Sequence, residues 1–189
     1  MPGAPFTVRT LLLRDGAGVE VRPLTSGETD ALARFDANLS AASRACFLPH
    51  AYDDATLARQ VARHARGTDL SLVAAAGKEI AGYAFLWEFD RPFPLLGLGV
   101  ADAWQGRGLG GALLDLLVVE ARAAGRDGID LTTVPSNLRA RRLYGSRGFR
   151  AAGEVDNIAG DGRVVRELRL VLSFRPGADP GSRAFSPPR

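Results

Sequence analysis

The middle of the chain reads Leu98-Gly99-Val100-Ala101-Asp102-Ala103-Trp104-Gln105-Gly106-Arg107-Gly108-Leu109-Gly110-Gly111. The residues before this stretch are typical of strands, and from Leu109 onward apolar residues recur every three or four positions, as on one helix face. Four glycines thus lie just before and within the first turn of a helix. The first N–H groups of a helix have no helical acceptor, and missing Cβ atoms let an anion reach them. The junction therefore predicts a cradle for a phosphate or pyrophosphate.

Two other interpretations of the same glycines are open. Glycines at such a junction can serve only a tight turn. The pattern Gly106-x-Gly108-x-x-Gly111 also fits a dinucleotide-binding motif, which normally opens the first βαβ unit and has an acid at the end of the next strand. Here about 100 residues precede the pattern, and Asp130 lies at the start of the next strand. This context disfavours a dinucleotide-binding fold.

Periodicity predicts alternating strands and helices on both sides of the junction. We predict strands at 6–14, 19–23, 70–76, 80–89, 95–100, 129–134, 149–156 and 164–172, and helices at 25–38, 54–66, 109–125 and 136–147, with a short helix or loop at 39–51. The length of 189 residues suits one domain. We place it at 1–174, with an N-terminal hairpin at 6–23, followed by a mobile Pro/Gly/Ser/Arg tail at 175–189.

Composition excludes several classes. Cys46 is the only cysteine and His50 and His64 the only histidines, so the chain lacks the ligands for a structural zinc site and cannot form an internal disulfide. We therefore expect no metal and a cytoplasmic location. No apolar run approaches the roughly 18 residues of a membrane span, so no membrane partner is expected. Of the 24 basic residues, 23 are arginine and only Lys78 is lysine.

A second constellation lies in the predicted helix 136–147. Asn137 and Tyr144 are seven residues apart, which at 100° per residue places them within about 20° of each other on one helix face. Both side chains can therefore point into one cleft. A helical tyrosine is also often a core residue, so Tyr144 alone indicates no function.

The two segments together resemble the GNAT acetyltransferase superfamily. The run Gln105-Gly106-Arg107-Gly108-Leu109-Gly110 matches the superfamily's acetyl-CoA loop, Gln/Arg-x-x-Gly-x-Gly/Ala. Residues 137–149 match its Asn-x-x-Ala-x-x-Leu-Tyr-x-x-x-Gly-Phe block without a gap, about 30 residues later. The resemblance covers about Glu20 to Leu172. It implies an α/β fold whose mixed, mostly antiparallel sheet is flanked by helices and splays at its central strands to hold acetyl-CoA.

The resemblance also implies an activity, transfer of an acetyl group from acetyl-CoA to a primary amine by direct attack. The cofactor-binding residues it implies are Leu98, Gly99, Val100, Gln105, Gly106, Arg107, Gly108, Leu109, Gly110, Gly111 and Asn137. The loop amides would bind the pyrophosphate, the strand 98–100 would pair with pantetheine, and the Val100 N–H would polarise the thioester carbonyl. Tyr144 would be the general acid.

The general base and the acceptor stay open. Several relatives carry a glutamate in the strand before Asn137, where this chain has none. Glu88, Asp90 and His50 are the remaining candidates, each of which can also be an ordinary surface residue. A narrower resemblance, to bacterial protein-lysine acetyltransferases, rests on 14–16, 21–24 and 39–47, although Cys46 replaces the arginine usual before Phe47. The acceptor is then an amine-bearing small molecule or protein, and the chain a monomer or homodimer.

Two functions from other classes compete with this one. A catalytically silent acyl-CoA-binding sensor would need the loop but no working base. A nucleic-acid-binding role would need a larger basic surface than the net +4 of residues 105–150. That local excess fits the CoA phosphates instead, with Arg107, Arg139, Arg141 and Arg142 best placed to meet them, so no nucleic-acid partner is expected.

Overall fold

The computed structural model describes residues 6–181, in which helices flank an eight-stranded sheet. The strands are β1 (Arg9–Leu12), β2 (Gly18–Pro23), β3 (Leu70–Ala76), β4 (Glu79–Trp87), β5 (Leu95–Val100), β6 (Gly128–Thr133), β7 (Arg150–Ile158) and β8 (Val164–Ser173). The helices are α1 (Thr29–Ala37), α2 (Ala41–Cys46), α3 (Asp54–Ala65), α4 (Leu109–Ala123) and α5 (Leu138–Ser146). Each predicted strand and helix has a counterpart here, and the open segment 39–51 contains α2.

Polar side chains fix where the helices begin. Ser40 Oγ accepts a hydrogen bond from the Ser43 N–H at 3.2 Å at the start of α2. Asp53 Oδ1 accepts one from the Thr56 N–H at 2.9 Å at the start of α3. Such caps satisfy N–H groups that have no helical acceptor, each stabilising the helix by about 1 kcal/mol. The short polar runs between the helices are therefore what sets the helix ends.

The sheet opens at its centre. Its strand order is β1-β2-β3-β4-β5-β6-β8-β7, and every neighbouring pair is antiparallel except β5 and β6. These two are parallel and pair only at Leu95 and Asp130. The rest of β5, up to Val100, has no strand beside it on that edge. The predicted mixed, mostly antiparallel sheet with splayed central strands is confirmed.

Two hydrophobic cores lie on the two faces of the sheet. On one face, Leu113 and Leu117 of α4 pack on Ile129 of β6, and the same core includes Tyr144 of α5. On the other face, α1 and α3 cover an aromatic cluster that includes Phe85. Tyr144 of α5 belongs to the first core, and Phe47, directly after α2, packs against the second.

The chain stays attached to the domain just beyond β8. The Phe174 N–H donates to the Asp127 carbonyl at 2.7 Å, and the Arg122 guanidinium lies 4.1 Å from the centre of the Phe174 ring. Of the predicted tail, residues 182–189 lie outside the described residues, and its mobility stays a prediction. None of the helices within 6–181 is long and apolar enough to cross a membrane.

Candidate active site

The glycine junction places unpaired N–H groups at the mouth of the opening. Gly106 and Gly108 have φ angles of +79° and +93°, a backbone region that favours glycine. The first hydrogen bond of α4 runs from the Ala112 N–H to the Gly108 carbonyl at 3.1 Å. The N–H groups of residues 109–111 therefore lack helical acceptors and lie at the positive end of the helix dipole. This geometry is suited to an anion such as pyrophosphate.

Gly111 lies in the first turn of α4 beside the end of α5. A Cβ atom there would lie 2.9 Å from Nη2 of Arg147, whose guanidinium pairs with Asp115 at 3.0 Å. Because the end of the Arg147 side chain can move, this contact alone does not require glycine at position 111.

The free edge of β5 presents backbone groups to the cleft. The Ala101 N–H donates to the Ala81 carbonyl of the β4 side at 2.9 Å. Because N–H groups alternate in direction along a strand, those of Leu98 and Val100 point the other way, to the edge that β6 leaves open. An extended molecule with amide groups can pair with this edge as another strand does.

At two glycines of β5, aromatic rings of other residues occupy the space that a side chain would fill. A Cβ on Gly97 would lie 2.0 Å from the Phe85 ring, and one on Gly99 would lie 2.4 Å from the Phe47 ring. Both rings therefore rest directly on the strand. Phe47 follows α2, so this contact holds α2 over β5 and forms one wall of the cleft.

A polar network that the sequence did not indicate fastens the loop to α2. Asp102 accepts hydrogen bonds from the Ser40 N–H at 2.8 Å and from Ser43 Oγ at 2.6 Å. Gln105 Nε2 donates to Ser43 Oγ at 3.1 Å and to the Val100 carbonyl at 3.0 Å. The hydrogen bond from Ser40 contributes most to lowering the pKa of Asp102, which holds the carboxylate ionised. The network fixes the loop relative to β5.

Two adjoining cavities form the cleft. The larger, about 360 Å³, lies at the loop, and the smaller, about 200 Å³, lies between β5, β6 and the β7–β8 hairpin. The residues that line both are Cys46, Phe47, Leu98, Asn137, Ala140 and Tyr144. The predicted residues that line the larger one are Leu98, Gly99, Val100, Gln105, Gly106, Gly110, Asn137 and Tyr144, while Arg107, Gly108, Leu109 and Gly111 do not. The structure thus brings the junction and the α5 segment to one site.

Tyr144 and Asn137 lie at the border of the two cavities. The Tyr144 side chain is buried, and its hydroxyl has no hydrogen-bond partner among residues 6–181. Burial raises the pKa of this phenol above its ordinary value. Asn137 precedes α5 as its cap, where Oδ1 accepts from the Ala140 N–H at 3.1 Å. Only its amide nitrogen is then left to face the cleft.

The candidate bases from the sequence do not line the cleft. Glu88 and Asp90 line neither cavity. The Glu88 carboxylate forms an ion pair with Arg91 at 3.5 Å. His50 is 1% exposed, and Nδ1 lies 2.7 Å from the Ala51 carbonyl. Burial lowers the pKa of His50 to about 4. None of these three groups is positioned to receive a proton in the cavities.

The four arginines expected at phosphates take different positions. Arg139 lines the larger cavity and donates to Gln105 Oε1. Arg107 pairs with Asp15 at 3.2 Å, while Arg141 donates to the Pro135 carbonyl at 3.0 Å. Arg142 is exposed. Arg139 is therefore the best-placed cation of the four. Within 6–181, no group of His, Cys, Asp and Glu side chains is arranged to hold a metal ion.

The splayed sheet with its open edge and the helix terminus with unpaired N–H groups are suited to an extended ligand that carries phosphate groups. Comparison with known proteins supports this. Residues 36–149 match the model of the Acetyltransferase (GNAT) family. The chain belongs to this family, which confirms the resemblance drawn from its two motifs.

One relative is similar in sequence. Mycothiol acetyltransferase of Kineococcus radiotolerans is 35% identical over 151 residues, which cover 76% of this chain and 47% of that protein. The chain therefore spans about half the length of this curated relative.

Solved structures share the fold. The GNAT domain of S. lividans PAT matches with a TM-score of 0.73 at 21% identity, covering 88% of this chain and 97% of that one. Mycobacterium smegmatis RimJ, in complex with CoA-disulfide, matches with a TM-score of 0.73 at 20% identity, covering 92% of this chain and 90% of that one. Salmonella typhimurium yncA, with its cofactor acetyl-CoA, matches with a TM-score of 0.67 at 24% identity, covering 88% of this chain and 100% of that one. Identities this low establish the fold alone, so the protein-lysine subgroup stays a prediction.

Proposed function

We propose that the chain transfers the acetyl group of acetyl-CoA to a primary amine by direct attack, with Tyr144 as general acid. The observation that carries this proposal is the unpartnered Tyr144 hydroxyl where the two cavities meet. A tyrosine phenol is protonated at neutral pH, so Tyr144 can protonate a leaving thiolate.

The residues of the cleft fit acetyl-CoA. When bound, acetyl-CoA supplies an acetyl group activated as a thioester. The backbone of Leu98 and Val100 would pair with the pantetheine amides along the open edge of β5. The N–H groups of 106–111 would hold the pyrophosphate, with Arg139 beside them. The Val100 N–H would donate where negative charge develops on the thioester oxygen.

Asn137 has a part in the same arrangement. Its Oδ1 caps α5 and thereby fixes the helix that carries Tyr144. Its amide Nδ2 is the group that would contact the cofactor. Loss of Asn137 would therefore act twice, on the cofactor contact and on the position of the general acid.

The proposal is tested by thiol release from acetyl-CoA over a panel of amines, with purified protein alone as the blank. The panel contains an alkylamine, an aminoglycoside, an amino acid, a peptide with a free N-terminus and a lysine peptide. We expect release with at least one amine, accompanied by the acetylated amine in mass spectrometry. Tight CoA binding by calorimetry without release from any amine would contradict transfer and support the silent acyl-CoA sensor.

A further inference from the structure

One carboxylate in the cleft has no part in the proposed mechanism. Among the described residues that line the two cavities, two are acids, Asp102 and Glu167. Asp102 is engaged by Ser40 and Ser43 in the network that fastens the loop. Glu167, on β8, is therefore the acid available to a molecule that enters the smaller cavity.

Glu167 is held on one side only. Asn157 of β7 donates from Nδ2 to Glu167 Oε2 at 2.8 Å, and the same nitrogen lies 3.3 Å from Thr132 Oγ1 of β6. In the described part of the chain, Oε1 has no hydrogen-bond partner and no arginine lies within 4.0 Å of the carboxylate. The side chain is half-buried. One oxygen is thus fixed while the other is free to accept.

The cations that line the smaller cavity or lie next to Glu167 on β8 are each paired with another acid, Arg44 with Asp36 at 3.4 Å. Arg169, two residues along β8 on the same face, pairs with the buried Asp130 at 2.6 Å. Arg163, which also lines the smaller cavity, pairs with Asp161 at 2.7 Å. The negative charge of Glu167 is therefore not neutralised by a salt bridge, which favours a cationic ligand beside it.

Aromatic side chains line the same cavity as Glu167. Phe47, Phe85 and Trp87 line the smaller cavity, and the Phe85 and Trp87 rings stack with centroids 4.1 Å apart. Aromatic rings attract cations and exclude water around an alkyl stem. The cavity thus combines an aromatic wall with a single carboxylate that no described cation neutralises.

We propose that Glu167 binds the ammonium group of the acceptor and takes its proton, an assignment that rests on the proposed function. A lysine-like amine is neutral only about once in 2,500 molecules at pH 7. Glu167 accepts one proton from R–NH₃⁺ and later passes it to water. The neutral amine then forms the C–N bond as the C–S bond breaks, and Tyr144 protonates the leaving thiolate. The second proton that the nitrogen loses returns Tyr144 to its protonated form. The net reaction releases one proton.

The test compares wild type with Glu167→Gln on the best amine of the panel, from pH 7 to 9. We expect kcat/KM for the amine to fall about 100-fold at pH 7. In the variant, kcat/KM for the amine should rise about tenfold per pH unit, because without the carboxylate only the neutral amine reacts. In wild type, kcat/KM should change little over the same range. Calorimetric titration of the CoA-saturated protein with the same amine should show weaker binding to the variant. Glu167→Asp should keep the wild-type pH profile at a reduced rate.

The matched control is Asp156→Asn. Asp156 lies beside Asn157 on the same hairpin but is exposed and pairs with Arg166 at 3.2 Å. Asp156→Asn should leave the pH profile of kcat/KM and the affinity for the amine unchanged. An active wild type with equal profiles for wild type and Glu167→Gln would overturn this assignment alone. No release by wild type from any amine, with CoA still bound, would overturn the proposed function and this assignment together.

Discussion

Tyr144 makes two separable contributions. Its ring packs against Phe149, with centroids 5.5 Å apart, while its hydroxyl meets the cleft. Tyr144→Phe keeps the ring and removes the proton. We expect kcat to fall by about 100-fold or more, with the KM for acetyl-CoA within about twofold and thermal stability unchanged. Steady-state thiol-release kinetics check this.

Tyr52→Phe is the control for that substitution. The Tyr52 hydroxyl is buried without a partner among the described residues, and Tyr52 lines neither cavity. Its removal should leave kcat as in wild type. Full turnover by Tyr144→Phe would remove Tyr144 from the general-acid role.

His50 makes stability depend on pH. Burial lowers its pKa from 6.5 to about 4, so below pH 6.5 the unfolded chain binds a proton that the folded chain does not. Stability is therefore complete above about pH 6.5 and is lost as pH falls toward 4. We expect the free energy of unfolding to decrease by about 2 kcal/mol between pH 7 and 5 from this group. Urea denaturation at the two pH values measures it.

His50→Gln isolates this contribution. His64, half-buried with a pKa lowered mainly by burial, stays in both proteins and cancels in the comparison. The variant should lose about 2 kcal/mol less than wild type over the same pH range. An equal loss in both proteins would refute the assignment to His50.

Two glycines with positive φ, Gly106 before α4 and Gly125 after it, allow a test of whether the loop binds the CoA phosphates. Gly106 has a φ of +79°, and a Cβ there would meet nothing within 4 Å. Gly106→Ala therefore acts through backbone strain, about 1–2 kcal/mol, which turns the loop N–H groups away from the anion. We expect CoA affinity, measured by calorimetry, to fall more than tenfold, with Tm lower by a few degrees.

Gly125→Ala applies the same strain where no ligand is expected. Gly125 follows the C-terminus of α4 with a φ of +71° and equally open space. It should lower Tm by a similar amount and leave CoA affinity unchanged. Equal CoA affinity in the two variants would mean that the loop does not hold the phosphates.

Elements and motifs were predictable from the sequence because their signals are local. Periodicity located the strands and helices, and contiguous patterns located the glycine loop and Tyr144. Asp102 and Glu167 were missed because the sequence does not show their partners: Ser40 lies 62 residues from Asp102, and Asn157 meets Glu167 only through the pairing of β7 with β8. The strand order that brings β8 beside β6 carries no local signal. The splay was expected through the family resemblance and not from residue pattern.

For the whole molecule, CoA should act as a structural link between β5 and β6. At a concentration 100 times Kd, binding contributes about 2.7 kcal/mol, which for a chain of this size raises Tm by about 5–10 °C. Because Leu98 and Val100 N–H groups gain acceptors, their hydrogen exchange should slow. Differential scanning fluorimetry and exchange mass spectrometry measure the two effects. Gly106→Ala at the same CoA concentration should show a rise in Tm at most about half as large, because tenfold weaker binding contributes only about 1.4 kcal/mol. Unchanged exchange at 95–100 in wild type would contradict the pairing.

The single β5–β6 pair has a consequence for the lifetime of the protein. On the proposed function, the gap in the sheet is filled by a molecule that is replaced at every turnover. Each cycle then passes through a form whose two half-sheets are joined by that pair, by the hydrogen bonds from residues 127–130 to Pro92 and Pro94, and by helix packing. This form is the most exposed to heat and proteases. The lifetime of the enzyme should therefore depend on the concentration of CoA rather than on the number of turnovers. Enzyme without CoA should be inactivated and degraded faster than enzyme saturated with it.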